Sequence, residues 1–204
     1  MKIAIIGVGN LGGAFTRALA GTGVQVVLGA RDAAKVAALA AETGADVLSP
    51  NEAAAQADVV ILALYYAQAQ AFLAQAGDLS GKVLVDISNP ITEDFQRIVV
   101  GHTTSAAEEL QALAPTAHVV KAFNTLFAGL ISPEARKGKN VQTFVAANDA
   151  DVVAQVGQVA RLIGLTPVTA GPLRNARFIE PTGMLNIQLG AFQGPGTSVA
   201  PAWV

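Results

Sequence analysis

Six residues near the start of the chain, Gly7-Val8-Gly9-Asn10-Leu11-Gly12, have the types and spacing to hold a pyrophosphate. They follow a short apolar run, Lys2 to Ile6, and lead into Leu11, Ala14, Phe15, Ala18 and Leu19, which recur as a helix with one buried face requires. Between a strand and a helix, the first glycine permits the tight turn and the second lets backbone approach the pyrophosphate. The third allows close helix-strand packing. The helix start then adds free N–H groups and a partial positive charge. A glycine-rich turn without a ligand has the same letters, and the placement argues against it.

The choice between NAD and NADP is read at the end of the second strand, where an Asp or Glu would accept from the ribose hydroxyls and repel a phosphate. This chain has Gly29-Ala30-Arg31-Asp32 there, followed by Lys35. Small residues leave room, the Arg31 guanidinium can fork onto phosphate oxygens, and Lys35 adds a point charge. The pattern selects NADP(H), with a solvated basic pair at a helix start as the plainer alternative. Asp32 is placed to cap the following helix.

Those residues need a scaffold, and the rest of the chain supplies one. Apolar strands at Lys2 to Ile6, Gln25 to Leu28, Asp46 to Leu48, Val59 to Leu64, Val83 to Ile87 and Val119 to Phe123 alternate with helical patterns, a βαβ rhythm. Ser49-Pro50-Asn51-Glu52 reads as a capping box with proline at the first helical position, and Ser105 with Glu108 repeats the box. The expected fold is α/β, a Rossmann-type doubly wound, mostly parallel sheet with helices on both faces and a short C-terminal extension. After Phe123 a strand is expected at Gln142 to Ala147, a helix at about Ala150 to Ile163 and a strand at Leu165 to Thr169, the strands extending the same sheet. A helical pattern follows over Leu173 to Phe192, then a tail at Gly194-Pro195-Gly196. The chain reads as one domain, 1–204, with 1–123 the dinucleotide-binding core and 124–204 completing an acceptor site or dimer contact.

Composition narrows the partners. Hydrophobic residues make up 52% and charged residues 14%, which suits strands covered on both faces. A net charge of −2 gives no basic field for nucleic acid or an anionic membrane surface. Without cysteines there are no disulfides, thiol chemistry or cysteine-ligated metals, and two histidines in different elements make no metal site. No segment approaches the roughly 18 apolar residues of a membrane span. A cytoplasmic protein is the default expectation.

Further segments carry a resemblance: Asp86-Ile87-Ser88-Asn89-Pro90, Val119-Val120-Lys121-Ala122-Phe123-Asn124-Thr125 and Ala170-Gly171-Pro172-Leu173-Arg174-Asn175-Ala176-Arg177. Together with the glycine turn and Gly29-Ala30-Arg31, they make the chain resemble the coenzyme F420-dependent NADP reductases and the related oxidoreductase domain of the STEAP metalloreductases. The resemblance implies that Val8, Gly9, Asn10 and Leu11 line the pyrophosphate loop and that Arg31 and Lys35 hold the 2′-phosphate. It places Leu64 and Tyr65 near the nicotinamide ribose and the loop from Asn124 near the nicotinamide and its redox partner. Ala30 stands where the archaeal enzymes usually carry a hydroxyl residue. Asn124-Thr125-Leu126 is similar to the bacterial and STEAP-like branch, and the archaeal loop is histidine-containing. A homodimer is also implied.

Hydride transfer between flat rings is mainly a positioning problem. The nicotinamide edge is expected to hold Leu64, Tyr65, Tyr66, Ser88, Asn89, Pro90 and Asn124, with Asn124 positioning and no assigned acid or base; no Tyr-x-x-x-Lys pair is present. His118 reads as structural, His102 as a loop residue within reach of a substrate contact, and Lys121 as paired with an acid or facing solvent. Arg174, Arg177 and Glu180 read first as a charged helix face, with a dimer contact or the acceptor pocket as the alternatives. Three functions fit: an NADPH-dependent reductase passing hydride to coenzyme F420, FMN or FAD; a reductase of a small carbonyl or imine; a module that senses NADPH without turnover. If Arg31 reads the 2′-phosphate, Arg31→Ala weakens NADPH roughly 10- to 150-fold and leaves NADH almost unchanged. Titration of both nucleotides checks this, and equal losses would remove Arg31 from that role.

Overall fold

The computed structural model describes residues 1–203. Six parallel strands form the main sheet: β1 (Lys2–Ile6), β2 (Gln25–Gly29), β3 (Asp46–Leu48), β4 (Val59–Leu62), β5 (Val83–Asp86) and β6 (His118–Lys121). Their order is β3-β2-β1-β4-β5-β6, so the chain reverses its direction of growth between β1 and β4. That reversal opens a crevice at the carboxyl ends of those two strands, the place where such sheets bind ligands.

Alternation along the strands divides the core in two. Ile3 and Ile5 of β1 face one layer with Phe15 and Leu19 of α1 (Asn10–Leu19), while Ala4 and Ile6 face the other. Leu39 and Ala40 of α2 (Ala37–Thr43) pack against the first layer. The second takes Ala53 and Ala54 of α3 (Pro50–Gln56), Ala69 and Leu73 of α4 (Tyr66–Leu73) and Leu110 of α5 (Ala106–Leu113). Small alanines let these helices lie close to the strands. The Ser49–Glu52 capping box forms as expected. At α5 only half of it does: Ser105 Oγ accepts from the Glu108 amide, but the Glu108 carboxylate binds Ser105 Oγ and Arg177 instead of closing the box.

Beyond β6 the strands do not continue the main sheet as expected. β7 (Gln142–Val145) and β8 (Thr166–Thr169) form a separate parallel pair; among the described residues its backbone pairs with β6 only where Lys121 and Ala146 exchange hydrogen bonds of 2.9 and 3.0 Å in antiparallel sense. The helix between them, α6 (Ala150–Leu162), places Val152 and Val156 in the first core layer. Buried Arg136 donates to the carbonyls of Ile163 and Gly164 just past the end of α6.

The last helical segment is α7 (Ala176–Ile187), entered through a short 3-10 turn and prolonged by a π-helical turn, Gln188–Phe192. Met184 completes the core, whereas Leu185, Leu189 and Phe192 stay exposed. The expected tail folds back: Asn186 donates to Val199 O, and Trp203 stacks edge-on against Phe144 at 5.0 Å. β4, β5 and β6 each stop one or two residues before the apolar run ends, because the backbone turns away while its side chains remain packed. Among the described residues no helix is long and apolar enough to cross a membrane, and no group of His, Cys, Asp or Glu could hold a metal.

Candidate dinucleotide and hydride-transfer site

The glycine turn takes a shape that requires glycine at Gly7 and Gly12. Gly7 sits at φ 93°, where a Cβ would also collide with the Ala63 carbonyl, and at Gly12 a Cβ would collide with the Gly7 carbonyl. Gly9 differs: it precedes α1 in extended conformation, and a Cβ there would meet nothing within 4 Å. No side chain caps α1, and its first turn carries no acid. Open space before uncapped amides fits a pyrophosphate group.

At the end of β2, Arg31 is exposed and forms no ion pair among the described residues. Asp32 caps the following 3-10 turn, accepting from Ala34 N at 3.1 Å, as expected of it. Lys35 is 82% exposed and 3.8 Å from Asp32, so it stays extended in solvent beside the acid. Ala30 lies between β2 and Arg31, its amide bonded to Leu48 O.

Beyond β4, Leu64 packs near the Gly7 turn, and Tyr65 is 75% exposed. Tyr66 begins α4, donates its hydroxyl to Glu109 and accepts from Gln70 at 2.8 Å. Burial and the Glu109 carboxylate hold its phenol well above the ordinary tyrosine pKa, which keeps the proton in place.

The loops after β5 and β6 meet through two asparagines. Asn89 Nδ2 donates to the Asn124 carbonyl at 2.9 Å, and Asn124 Nδ2 donates to Asn89 Oδ1 at 2.9 Å and to Ile179 O at 3.1 Å. The carbonyl of Ile179 fixes the amide's orientation, so Asn124 Oδ1 is left as a buried acceptor without a partner; Ser88 Oγ and Thr125 Oγ1 are also buried and unpartnered. Phe123, just before Asn124, is fully buried at φ 61°, a strained conformation for a side chain of that size. Its ring holds Phe15 edge-on at 5.0 Å, and its amide donates to Thr143 Oγ1. Packing on both sides therefore over-determines the backbone that aims Asn124.

α7 closes the site from above. At Gly183 a Cβ would collide with the Asn89 side chain and lie 2.7 Å from Asn124 Nδ2, so a larger residue there would displace the asparagine pair. Asn186 donates to Thr125 O. A cavity of about 360 Å³ results, with Asn10, Leu11, Asn89, Asn124, Leu126 and Phe192 among its walls and no ionisable side chain in its lining. A larger groove of about 560 Å³ lies along α6 and β8, away from the glycine turn.

Beneath the asparagines is a buried charge cluster. Lys121 Nζ lies 2.7 Å from Asp86, 3.0 Å from Glu180 and 2.6 Å from the Ser88 carbonyl. Glu180 also accepts from the amides of Ala106 and Ala107, and Asp86 from the amide of Ser88. Burial works against the ammonium, but the two carboxylates outweigh it and hold its pKa above the ordinary value. Burial pushes the Glu180 carboxyl up, against the pull of Lys121 and the Ala106 amide.

Of the residues expected at the site, Asn10, Leu11, Asn89 and Asn124 share one cavity; Ala30, Arg31 and Lys35 stand apart, just past the end of β2, and Leu64 and Tyr65 lie outside the cavity wall. His102 is an exposed loop residue, and His118 Nδ1 lies 3.9 Å from Asp149 with both side chains partly exposed. Glu180 corrects the expected charged helix face: it is 1% exposed, while Arg177 forks onto Glu108 at 2.6 and 2.8 Å. Sequence reasoning missed Gly183, Asn186, Phe95 and Phe192. Helical spacing alone cannot show which face of α7 crosses the loops.

A family model described as NADP oxidoreductase, coenzyme F420-dependent, matches residues 2–90. The F420-dependent NADP reductase of Methanothermobacter thermautotrophicus is 31% identical, the alignment covering 93% of this chain and 89% of that one. Rat metalloreductase STEAP3 is 32% identical over 88% of this chain but 36% of its own, so the chain spans about a third of that relative's length. A crystal structure from Arthrobacter sp. FB24, provisionally described as an F420-dependent NADP reductase, superposes with a TM-score of 0.89 at 30% identity and covers both chains completely. An imine reductase from Pseudomonas sp. shares the fold at a TM-score of 0.71 and 17% identity, covering 94% of this chain and 62% of that one.

The open space at Gly9 yields an expected outcome. Gly9→Ala should lower NADPH affinity while leaving the melting temperature of the cofactor-free protein nearly unchanged, since the methyl group meets no protein atom. Calorimetry and nucleotide titration check both halves. A lowered melting temperature with normal binding by the folded fraction would make the turn purely structural.

Proposed function

The chain belongs to the family of coenzyme F420-dependent NADP oxidoreductases, and from that premise we propose that it transfers hydride between NADP(H) and a deazaflavin or flavin ring held in the cavity beside Asn124. The observation that carries this reading is a cavity of about 360 Å³ at the carboxyl edge of the sheet, reached by the first turn of α1 and free of ionisable side chains in its lining. A ring acceptor can receive hydride and exchange its proton with water. A carbonyl acceptor normally needs a positioned proton donor. The similarity to an F420-dependent NADP reductase over nearly the whole length of both chains supports the same acceptor class.

In this reading the protein's residues bind, orient and exclude water. The amides at the start of α1 take the pyrophosphate, with Gly9 giving the backbone its close approach. Arg31, and Lys35 from solvent, meet the 2′-phosphate; Leu64 and Tyr65 flank the ribose. The nicotinamide supplies the hydride when bound, and Asn89 and Asn124 orient its ring. Asn124 Oδ1 is a fixed acceptor seeking an N–H donor, which a carboxamide provides. Phe95, whose ring lies 6.1 Å from Phe192, and the π turn carrying Phe192 shield the acceptor side.

Mixing the protein with NADPH and following its absorbance, with F420, FMN, FAD or a small carbonyl added singly, tests the reading. Oxidation with a deazaflavin or flavin, slowed by Asn124→Ala and largely retained by His102→Ala and Tyr66→Phe, is the expected result. Oxidation only by the carbonyl, lost about a thousandfold in Tyr66→Phe at unchanged NADPH affinity, would replace it with a carbonyl reductase. Tight NADPH binding without turnover on any acceptor would make the chain a sensor.

A further inference from the structure

The charge cluster under the two asparagines does more than join elements, because its charges do not cancel. Asp86 and Glu180 face one cation, Lys121, and every polar neighbour of the two carboxylates is a donor: Lys121 Nζ and the amides of Ser88, Ala106 and Ala107. Burial and the Asp86 charge raise the Glu180 pKa, but a neutral acid at either position would forfeit these donors, so the contacts favour two carboxylates beside one ammonium. The amides at the start of α5 offset part of the excess, about half a charge at a helix terminus. The remainder is negative, and all three side chains are at most 1% exposed, beyond the reach of solvent screening.

The cluster also adjoins the cavity at two points. Lys121 holds the carbonyl of Ser88, the residue before Asn89, and Asn124 donates to the carbonyl of Ile179, the residue before Glu180. Both cavity asparagines are thus one peptide unit from a member of the cluster. Tyr66 and Glu109 on the neighbouring helices add no cation to it.

We propose that Asp86, Lys121 and Glu180 form a fixed electrostatic device whose excess negative charge stabilises the positive nicotinamide ring produced when NADPH gives up hydride. The inference rests on the nicotinamide lying in the cavity beside Asn89 and Asn124. In that step the C–H bond at ring carbon 4 breaks, and its electron pair leaves with the hydrogen to the acceptor ring, forming a C–H bond in a deazaflavin or an N–H bond in a flavin. The acceptor takes one proton from water, and the donor ring is left with one positive charge. A negative charge already in place, with nothing to reorganise, stabilises that change more than it stabilises the neutral reduced ring. The same residues therefore discriminate between the two oxidation states of one nucleotide. No side chain of the cluster needs to touch the ring.

The test is equilibrium binding of NADP+ and NADPH to the whole chain, without acceptor, for the wild type, Glu180→Gln and Asp86→Asn. Each variant removes the excess charge and leaves Lys121 one carboxylate; replacing Glu180 also relieves a group whose ionisation burial disfavours, which helps that variant fold. Both variants should weaken NADP+ about tenfold more than NADPH, the scale of one buried charge acting over several ångströms. Single-turnover hydride transfer from NADPH should slow by a similar factor with little change in NADPH affinity. Equal weakening of the two nucleotides, or no change in their ratio, would overturn the electrostatic role and leave the cluster structural. Should one variant fail to fold, the other repeats the comparison from the opposite side of Lys121. A wild type that binds neither nucleotide would instead overturn the proposed function itself.

Discussion

Lys121 is the point at which the site is tied to the fold. Its ammonium joins the end of β5 through Asp86, the loop leading to Asn89 through the Ser88 carbonyl, and α7 through Glu180, which in turn caps α5. Among the described residues, its own backbone makes the one β-bridge between the six-stranded sheet and the β7-β8 pair. Breaking a buried pair by removing one partner generally costs about 3–5 kcal/mol, because the group left behind stays charged and dry. An arrangement with that penalty fixes geometry more firmly than apolar packing, which tolerates sliding.

From that anchor the cavity follows by close approach. α7 is held against the loops by Glu180 and passes over them at Gly183, where a larger residue would push the Asn89 and Asn124 side chains from their present positions. Phe123 accepts a left-handed backbone because Phe15 and Thr143 hold it there, and this strain turns Asn124 toward the cavity. Burial of charge below and neutrality of the lining above belong together: the field reaches the cavity while no titrating group enters it.

Much of this was legible in the sequence. The alternation of apolar runs with helical patterns located all six main strands, and the glycine spacing located the turn, since both follow from local periodicity and backbone sterics. The ends of β4, β5 and β6 were placed too far along because Ala63, Ile87 and Phe123 are apolar for packing reasons after pairing has ceased. Glu180 illustrates what local reasoning misses. With Arg177 three residues before it, the pair looks like an exposed charged face, yet Arg177 turns to Glu108 and Glu180 turns inward to Lys121. Only the tertiary path of α7 decides between those outcomes. Lys121 itself was a visible anomaly, a lysine among apolar strand residues, whose partners lay 35 and 59 positions away in sequence.

The proposed reaction is direct hydride passage between two rings in a cavity without an acid or base. NADPH carrying deuterium at ring carbon 4, separately in each of its two stereochemical forms, measures it most directly when F420 is the acceptor and the product is analysed by mass and NMR. One form should deliver its deuterium to the deazaflavin carbon stoichiometrically, with none lost to water. Deuterium appearing in solvent, or transfer without preference between the two forms, would contradict a fixed ring-to-ring geometry.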